Sequence, residues 1–594
     1  MRTPISIALA ATLAGPVLAE APSPLSPVLV TATRSPQPLD QSLASAVVFD
    51  REAIERSQAL DLVELLRHAV GVEISRNGGP GGASTVFLRG ANSNQTLVLV
   101  DGVRVSSVTT GAAAWEQLPL DQVERVEIVR GPRAALWGSD AIGGVVQIFT
   151  RVPDGGSARF SVGRYADYFA GVGIGGRSGN LTIGGSAGRR TVEGFSAQNA
   201  NGFGFDPDDD GYRYTDLSFG LDWQDGESIL SLRSFSRDGE IEFDQGDSEA
   251  INRGASLSWQ GTAGAWRPSL QLGWSMDDVD TPAFGSVFET RRWSADLSAE
   301  RAIGEQHQLT LLANLLNESG RYGDAFAGDL FDQDRGALAL AGLWQWRLGA
   351  HRIEAALRVD DYDGFGSEWS PRLGWSWELT PNLRLISSAG EGFRAPNFNE
   401  LYFPGFGGQF AGDPNLDPER SQALELRAEW RAQAQWRWAL STYRNDVEDL
   451  IAFAGVDFQA INIARARLQG VELEGRWDGE ATWVEGSMAW QNPLNRDTDQ
   501  ILPRRAKRNA HLAAGWAFDD SLALGAEIDY ASRRFDFGQP LDAYSLLALT
   551  ADWRLNPDWR VQLRGDNLTD EDYELASGFN TPGRSLSVTL RWGQ

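Results

Sequence analysis

Beyond Val152 the chain changes grammar. Helical periods stop, and short segments such as "ALELRAEW", "VELEGRW", "VQLRGD" and "SLSVTLRW" alternate apolar and polar residues. In the first of these, Leu424, Leu426 and Trp430 fall on one face of a strand while Glu425, Arg427 and Glu429 fall on the other. Turn clusters such as "NPD", "FDD" and "DDYDG" separate the segments. A β-sandwich alternates too, but it buries its apolar face in a core. Here Trp and Tyr recur at segment ends, where membrane–water interfaces collect aromatic rings. Apolar outside, polar inside and aromatic at the rim is the pattern of a transmembrane β-barrel. Residues 152–594 hold roughly 20 strands at ~9–11 residues each plus connections.

The first 151 residues read differently. Residues 1–19 carry one Arg, an apolar stretch from Ile5 to Leu18, and small residues at Val17 and Ala19 ahead of Glu20, which predicts a secretory signal. Residues 20–40 form an arm, and residues 41–151 mix helical and strand signals. "DREAIERSQALDLVELLRHAVGV" spaces Ile54, Leu60, Leu62, Val63 and Leu66 as a helix that stops at Gly71, and "QTLVLVDGVRV" predicts a hairpin on its Asp-Gly turn. A wide barrel leaves a large lumen, and a domain of this size fills it. The Gly- and Arg-rich run "VERVEIVRGPRAALWGSDAIGGVVQIFTR" then supplies tight turns against the wall and guanidiniums for inward-facing acids. The predicted fold is a membrane β-barrel of about 22 antiparallel strands (152–594) with an N-terminal mixed α/β plug in its lumen.

Composition removes several functions. A net charge of -27 argues against a nucleic-acid partner. With Cys 0, disulfide scaffolds, Cys-ligated zinc and Cys nucleophiles are excluded. "GVGIGG" formally fits a dinucleotide fingerprint, but no helix follows, so these are glycines of a strand. The four histidines, His68, His307, His351 and His511, lack metal or triad spacing, and no residue set reads as an enzyme active site.

Two stretches, "VFLRGANSNQTLVLVDGVRV" and "VERVEIVRGPRAALWGSDAIGGVVQIFT", resemble the plug signatures of the TonB-dependent outer-membrane receptors. "GFRAPNFNELYF", "DPNLDPERSQALELRAEW" and "NIARARLQGVELEG" resemble that family's barrel segments. The resemblance spans essentially the whole mature sequence. It implies location in the bacterial outer membrane, surrounded by its lipid, and transport driven by TonB with ExbB and ExbD. "SPVLVTATRS" resembles the TonB box, here Ser26, Pro27, Val28, Leu29, Val30, Thr31 and Ala32, with Ser26 and Pro27 departing from the usual acidic residue and Thr. An extended arm beside prolines suits strand addition to a partner.

Within the family, "NGGPGGASTVFLRGAN" and "GPRAALWGSDAIGGVVQI" are most similar to the cobalamin-receptor branch. That likeness implies ligand contacts from the plug apex at Asn77, Ser84, Thr85, Ser106 and Ser107. It also implies Ca2+ between acidic extracellular loops, and a monomer that can hand cobalamin to a periplasmic binding protein. Asp206, Asp208, Asp210 and Gly211 in "GFDPDDDGYRYTD" match the start of a calcium loop, but Leu217 stands where an EF-hand places its closing Glu. Asp244 and Asp247 in "EFDQGDSE" are placed to complete a two-loop site. A ferric siderophore receptor is the alternative, with Phe403, Phe406 and Phe410 able to face either ligand. A haem receptor is disfavoured by the absence of His between "FRAP" and "PNL". A passive porin or adhesin is disfavoured by the folded domain and arm that precede the barrel.

Overall fold

In the computed structural model the described residues are 29–34, 37–325, 327–405, 409–433, 435–454, 458–536 and 538–593. The signal segment, Ser26, Pro27, Val28 and Phe406 lie outside them.

Alternation after Val152 becomes a closed antiparallel barrel of 22 strands. Closure is direct: the first barrel strand, Gly156–Gly163, pairs on one edge with Asp167–Ser178 and on the other with the last strand, Ser585–Gly593. With no open edge, every strand satisfies its backbone groups against a neighbour, which a hydrocarbon environment requires. Register sorts the side chains as expected. Leu424, Leu426 and Trp430 are about half exposed on the outer wall, while Glu425 is buried inside.

The two ends of the barrel differ. Connections at one end are tight turns, as at 179–180, 226–227 and 349–350, and those at the other include 193–211, 395–418 and 567–584. Short turns mark the periplasmic side and long loops the extracellular side. Trp223, Trp259, Trp377, Trp436, Trp553 and Trp592 all sit beside the periplasmic end of their strands, giving the interface girdle that the sequence pattern anticipates.

Inside, a five-stranded mixed sheet orders Ala46–Phe49, Val123–Arg130, Gly144–Thr150, Thr96–Val100 and Val103–Arg104. Its core gathers Leu62, Leu65, Leu66, Leu88, Trp115 and Ile128. The Asp-Gly turn is realised with positive φ at both Asp101 (47°) and Gly102 (79°), the conformation that matches a twisted hairpin. The predicted single helix is instead two, Arg51–Ser57 and Leu62–Arg67. Gln58 turns left-handed (φ 52°), and Asp61 caps the second helix by accepting from Glu64 N at 2.8 Å. Glu64 returns the bond, accepting from Leu60 N at 2.9 Å, so the break was written as an acidic cap three residues before a Glu.

Tight glycines do bring the plug against the wall. At Gly138 (φ 78°) a Cβ would come within 2.9 Å of Arg358 Nη2, and Gly71 would bring one to 2.4 Å from Glu472 Oε1. A shared apolar patch also joins the two units, Leu97, Leu136 and Trp137 of the plug packing on Leu312, Leu343 and Ala356 of the barrel.

Candidate functional site

Three plug loops, 77–83, 92–95 and 106–112, reach the extracellular loops. The first lies under loop 193–211, with Gly78 against Ala197 and Gly81 against Tyr212. The third is held by loop 395–418, where Phe398 N donates to Val108 O at 2.9 Å and Asn397 Nδ2 to Thr110 O at 3.0 Å. Asn92 Oδ1 of the middle loop accepts from Arg505 of the barrel.

Of the residues expected to meet ligand, Asn77 and Thr85 are half-buried, and Ser84, Ser106 and Ser107 are buried. Ser84 Oγ bonds Gly82 O at 2.9 Å, and Ser107 Oγ shares a 2.8 Å bond with Thr109 Oγ1. Ser106 O accepts from Arg292 at 2.7 Å. These groups therefore shape the apex loops. Glu116 sits behind them, accepting from Ser84 N at 3.0 Å, and burial pushes its carboxyl up to about 7. The exposed apex positions are Ala83 and Thr110, with Asn92 and Asn94 half-buried beside them. Residues Asn92 and Asn94 were available in the quoted "GANSNQ", where amide-rich composition beside a glycine was the signal. Above the apex, Phe288 stacks on Tyr322 at 4.4 Å and Phe403 leans on Tyr322 at 5.3 Å, whereas Phe410 is exposed and stacks on Phe458 at 5.3 Å.

The two acidic loops meet. Asp244 bridges them, its carboxylate accepting from Gln198 N and Asp206 N, both at 3.0 Å. Asp210 accepts from Ala197 N, and Glu242 from Gly211 N at 2.8 Å. Burial pushes the Asp210 carboxyl up to about 6, with Asp244, Asp208 and Glu242 adding to the effect. Asp208 is exposed, and Asp247 faces Glu242 across its hairpin. Among the described residues no three of these carboxylates bring an oxygen each within 4.8 Å of the others, and the loops are joined by carboxylate-to-backbone hydrogen bonds.

Where plug meets wall, guanidiniums are shared among carboxylates. Arg89 bonds Glu425 and Glu472, and Arg130 bonds Glu472 and Glu474, at 2.8–3.0 Å. Buried charges of this kind cost much to desolvate, and here each guanidinium offsets that cost with two carboxylates.

The arm is docked on the plug. Leu29–Val30 pairs antiparallel with Gln37–Pro38. Thr31 donates both its N–H and its hydroxyl to Glu127 Oε2 at 2.8 Å, and Ala32 is buried. Arg34 donates to Leu136 O at 3.0 Å, lies 4.0 Å from the Trp137 ring, and pairs with Asp296 of the wall at 3.3 Å.

A family model described as TonB dependent receptor-like, beta-barrel matches residues 150–568, and one for the TonB-dependent Receptor Plug Domain matches residues 38–145. The chain is a TonB-dependent receptor. It is 30% identical over 601 residues to the vitamin B12 transporter BtuB of Photobacterium profundum, covering 95% of each chain. It is 29% identical to the BtuB of Vibrio vulnificus, covering 92% of this chain and 91% of that one. Among solved structures, the siderophore receptor PirA of Acinetobacter baumannii superposes with a TM-score of 0.80 at 18% identity, covering 92% of this chain and 98% of that one. The ferric enterobactin receptor PfeA of Pseudomonas aeruginosa superposes at 0.79 and 19%, covering 96% and 100%. At such identities the structures share the fold.

As a TonB-dependent receptor, the protein resides in the outer membrane, and its transport of a ligand draws energy through TonB. The receptor's histidines hold one surprise. His68 of the plug and His511 of the wall, scattered in sequence, stack with ring centroids 4.4 Å apart.

Proposed function

We propose that this receptor carries cobalamin across the outer membrane. The reading rests on one observation, the 30% identity to a vitamin B12 transporter that extends over 95% of both chains. Apex chemistry supports it: Asn77, Asn92, Asn94 and Thr110 offer uncharged amides and a hydroxyl to a ligand fringed with amides. Ca2+ held by Asp206, Asp210 and Asp244, with Asp208 and Asp247 nearby, would order loops 193–211 and 244–245 before the ligand arrives. Preordering lowers the entropy cost of binding.

Release of the arm then presents Ser26 to Ala32 to TonB, which works with ExbB and ExbD. The plug loosens, the ligand passes, and a periplasmic cobalamin-binding protein receives it. The receptor acts as a monomer in this scheme. A ferric siderophore is the second reading, favoured by the exposed Phe410–Phe458 stack, which offers flat aromatic surface to a catecholate-type ligand.

Equilibrium titration of cyanocobalamin into the purified, detergent-solubilised receptor, with and without Ca2+, tests the proposal. Tight binding strengthened by Ca2+ is expected. Failure to bind in both conditions, by protein shown to be folded, rejects cobalamin and favours a siderophore.

A further inference from the structure

His68 ends the helix Leu62–Arg67, its N–H bonded to Leu65 O at 3.2 Å. It points across the plug–barrel boundary to the wall, where His511 and Asp529 stand directly opposite each other on adjacent strands. His511 Nδ1 lies 2.9 Å from Asp529 Oδ1, and His68 Nε2 lies 3.8 Å from Glu527 Oε2. One ligand atom from each of His68, His511 and Asp529 falls within 4.8 Å of the others, the one such His/Asp/Glu group among the described residues. All four side chains are largely withdrawn from solvent.

We propose that His68, His511 and Asp529 form a binding site for a divalent transition-metal ion such as Zn2+, with Glu527 as the fourth ligand, clasping the plug to the barrel wall. Two imidazoles and one or two carboxylates are a donor set that zinc accepts in tetrahedral geometry.

Arg564 donates to Glu527 at 2.9 Å and to Asp566 at 2.7 Å beside the group. The two rings lie 19° from parallel, so a shared ion requires one of them to turn about its Cβ–Cγ bond. A cavity of about 90 Å³ borders His68 and Asp529. Because the plug supplies one ligand and the wall the others, the site is complete only while the plug is docked. An ion that binds only that state stabilises it by mass action.

The full chain in detergent is titrated with Co2+ as a coloured stand-in for Zn2+. Expected are one equivalent bound, the visible absorption of a four-coordinate ion, and displacement by Zn2+. His68→Ala and His511→Ala should each weaken binding at least tenfold, whereas His307→Ala should leave it unchanged, since that ring stacks on Trp344 and Trp346 instead. Zn2+ should also raise the unfolding temperature of the unaltered protein but of neither histidine variant. Heat-modifiable gel migration checks that each variant is a folded barrel. The proposal is overturned if folded protein takes up no stoichiometric ion, or if uptake survives both substitutions.

Discussion

Glu472 accepts three hydrogen bonds from two plug arginines, Arg89 and Arg130, in a place with no solvent contact. Removing its charge takes one of two carboxylates from each guanidinium, leaving Glu425 to Arg89 and Glu474 to Arg130, so the cost falls below the ~3–5 kcal/mol of a fully broken buried pair. Glu472→Gln should therefore loosen the plug, read as a lower urea concentration for plug unfolding while the barrel stays intact. Asp210 offers a second test. Its carboxyl is raised to about 6 in the folded loop, from an ordinary value near 3.8. The folded loop thus keeps a proton that the unfolded chain has lost. Its order is weakened as pH rises from about 4 to 6, and the full penalty remains above that. A bound cation removes the penalty but must displace the proton, so Ca2+ affinity should fall about tenfold per pH unit below 6 and level off above it. Calorimetry at pH 5 and 7 reads the difference, and equal affinities would remove Asp210 from the site. Sequence made it legible that plug arginines would face inward acids, but not which ones, because Arg130 and Glu472 are 342 positions apart. The same separation in chain and closeness in space hid the stacking of His68 on His511.

Among the elements, strands announced themselves and short connections did not. Period-2 alternation is fixed by the pleat, so faces could be assigned from sequence alone. The kink at Gln58 is a local choice, as is the pairing of Leu29–Val30 with Gln37–Pro38, and no long period marks either. In the proposed coupling that pairing matters, since an arm already bonded at one edge would have to be freed before giving that edge to TonB. Thr31→Val removes the hydroxyl that donates to buried Glu127, a bond to a charged group worth about 1.5–3 kcal/mol. Faster amide exchange across residues 29–34 is expected. Leu29→Pro removes a backbone donor from the arm. It should leave surface binding of ligand intact and abolish uptake, and parallel loss of both would contradict that division of labour.

At the scale of the whole molecule, two units with different solvents share one interface. A barrel of 22 strands is wide enough for an aqueous channel, and its inner wall carries charges, some of which pair with one another, as Arg292 does with Glu318 and Arg358 with Asp360. The plug fills that lumen with a folded core of its own and answers wall charges individually, as Arg89 and Arg130 answer Glu425, Glu472 and Glu474. The seam pairing of Gly156–Gly163 with Ser585–Gly593 is a backbone ladder within the barrel, to which the plug adds ion pairs from Asp121 to Arg159 and from Glu55 to Arg591. A chain lacking residues 20–151 should consequently still fold and insert, but as an open pore. In planar bilayers it should pass ions continuously where the full receptor is closed, and under the proposed coupling it should lose saturable ligand uptake along with the arm. Comparable conductance from both chains would mean that the plug does not seal the lumen, and would return the passive-porin reading to contention.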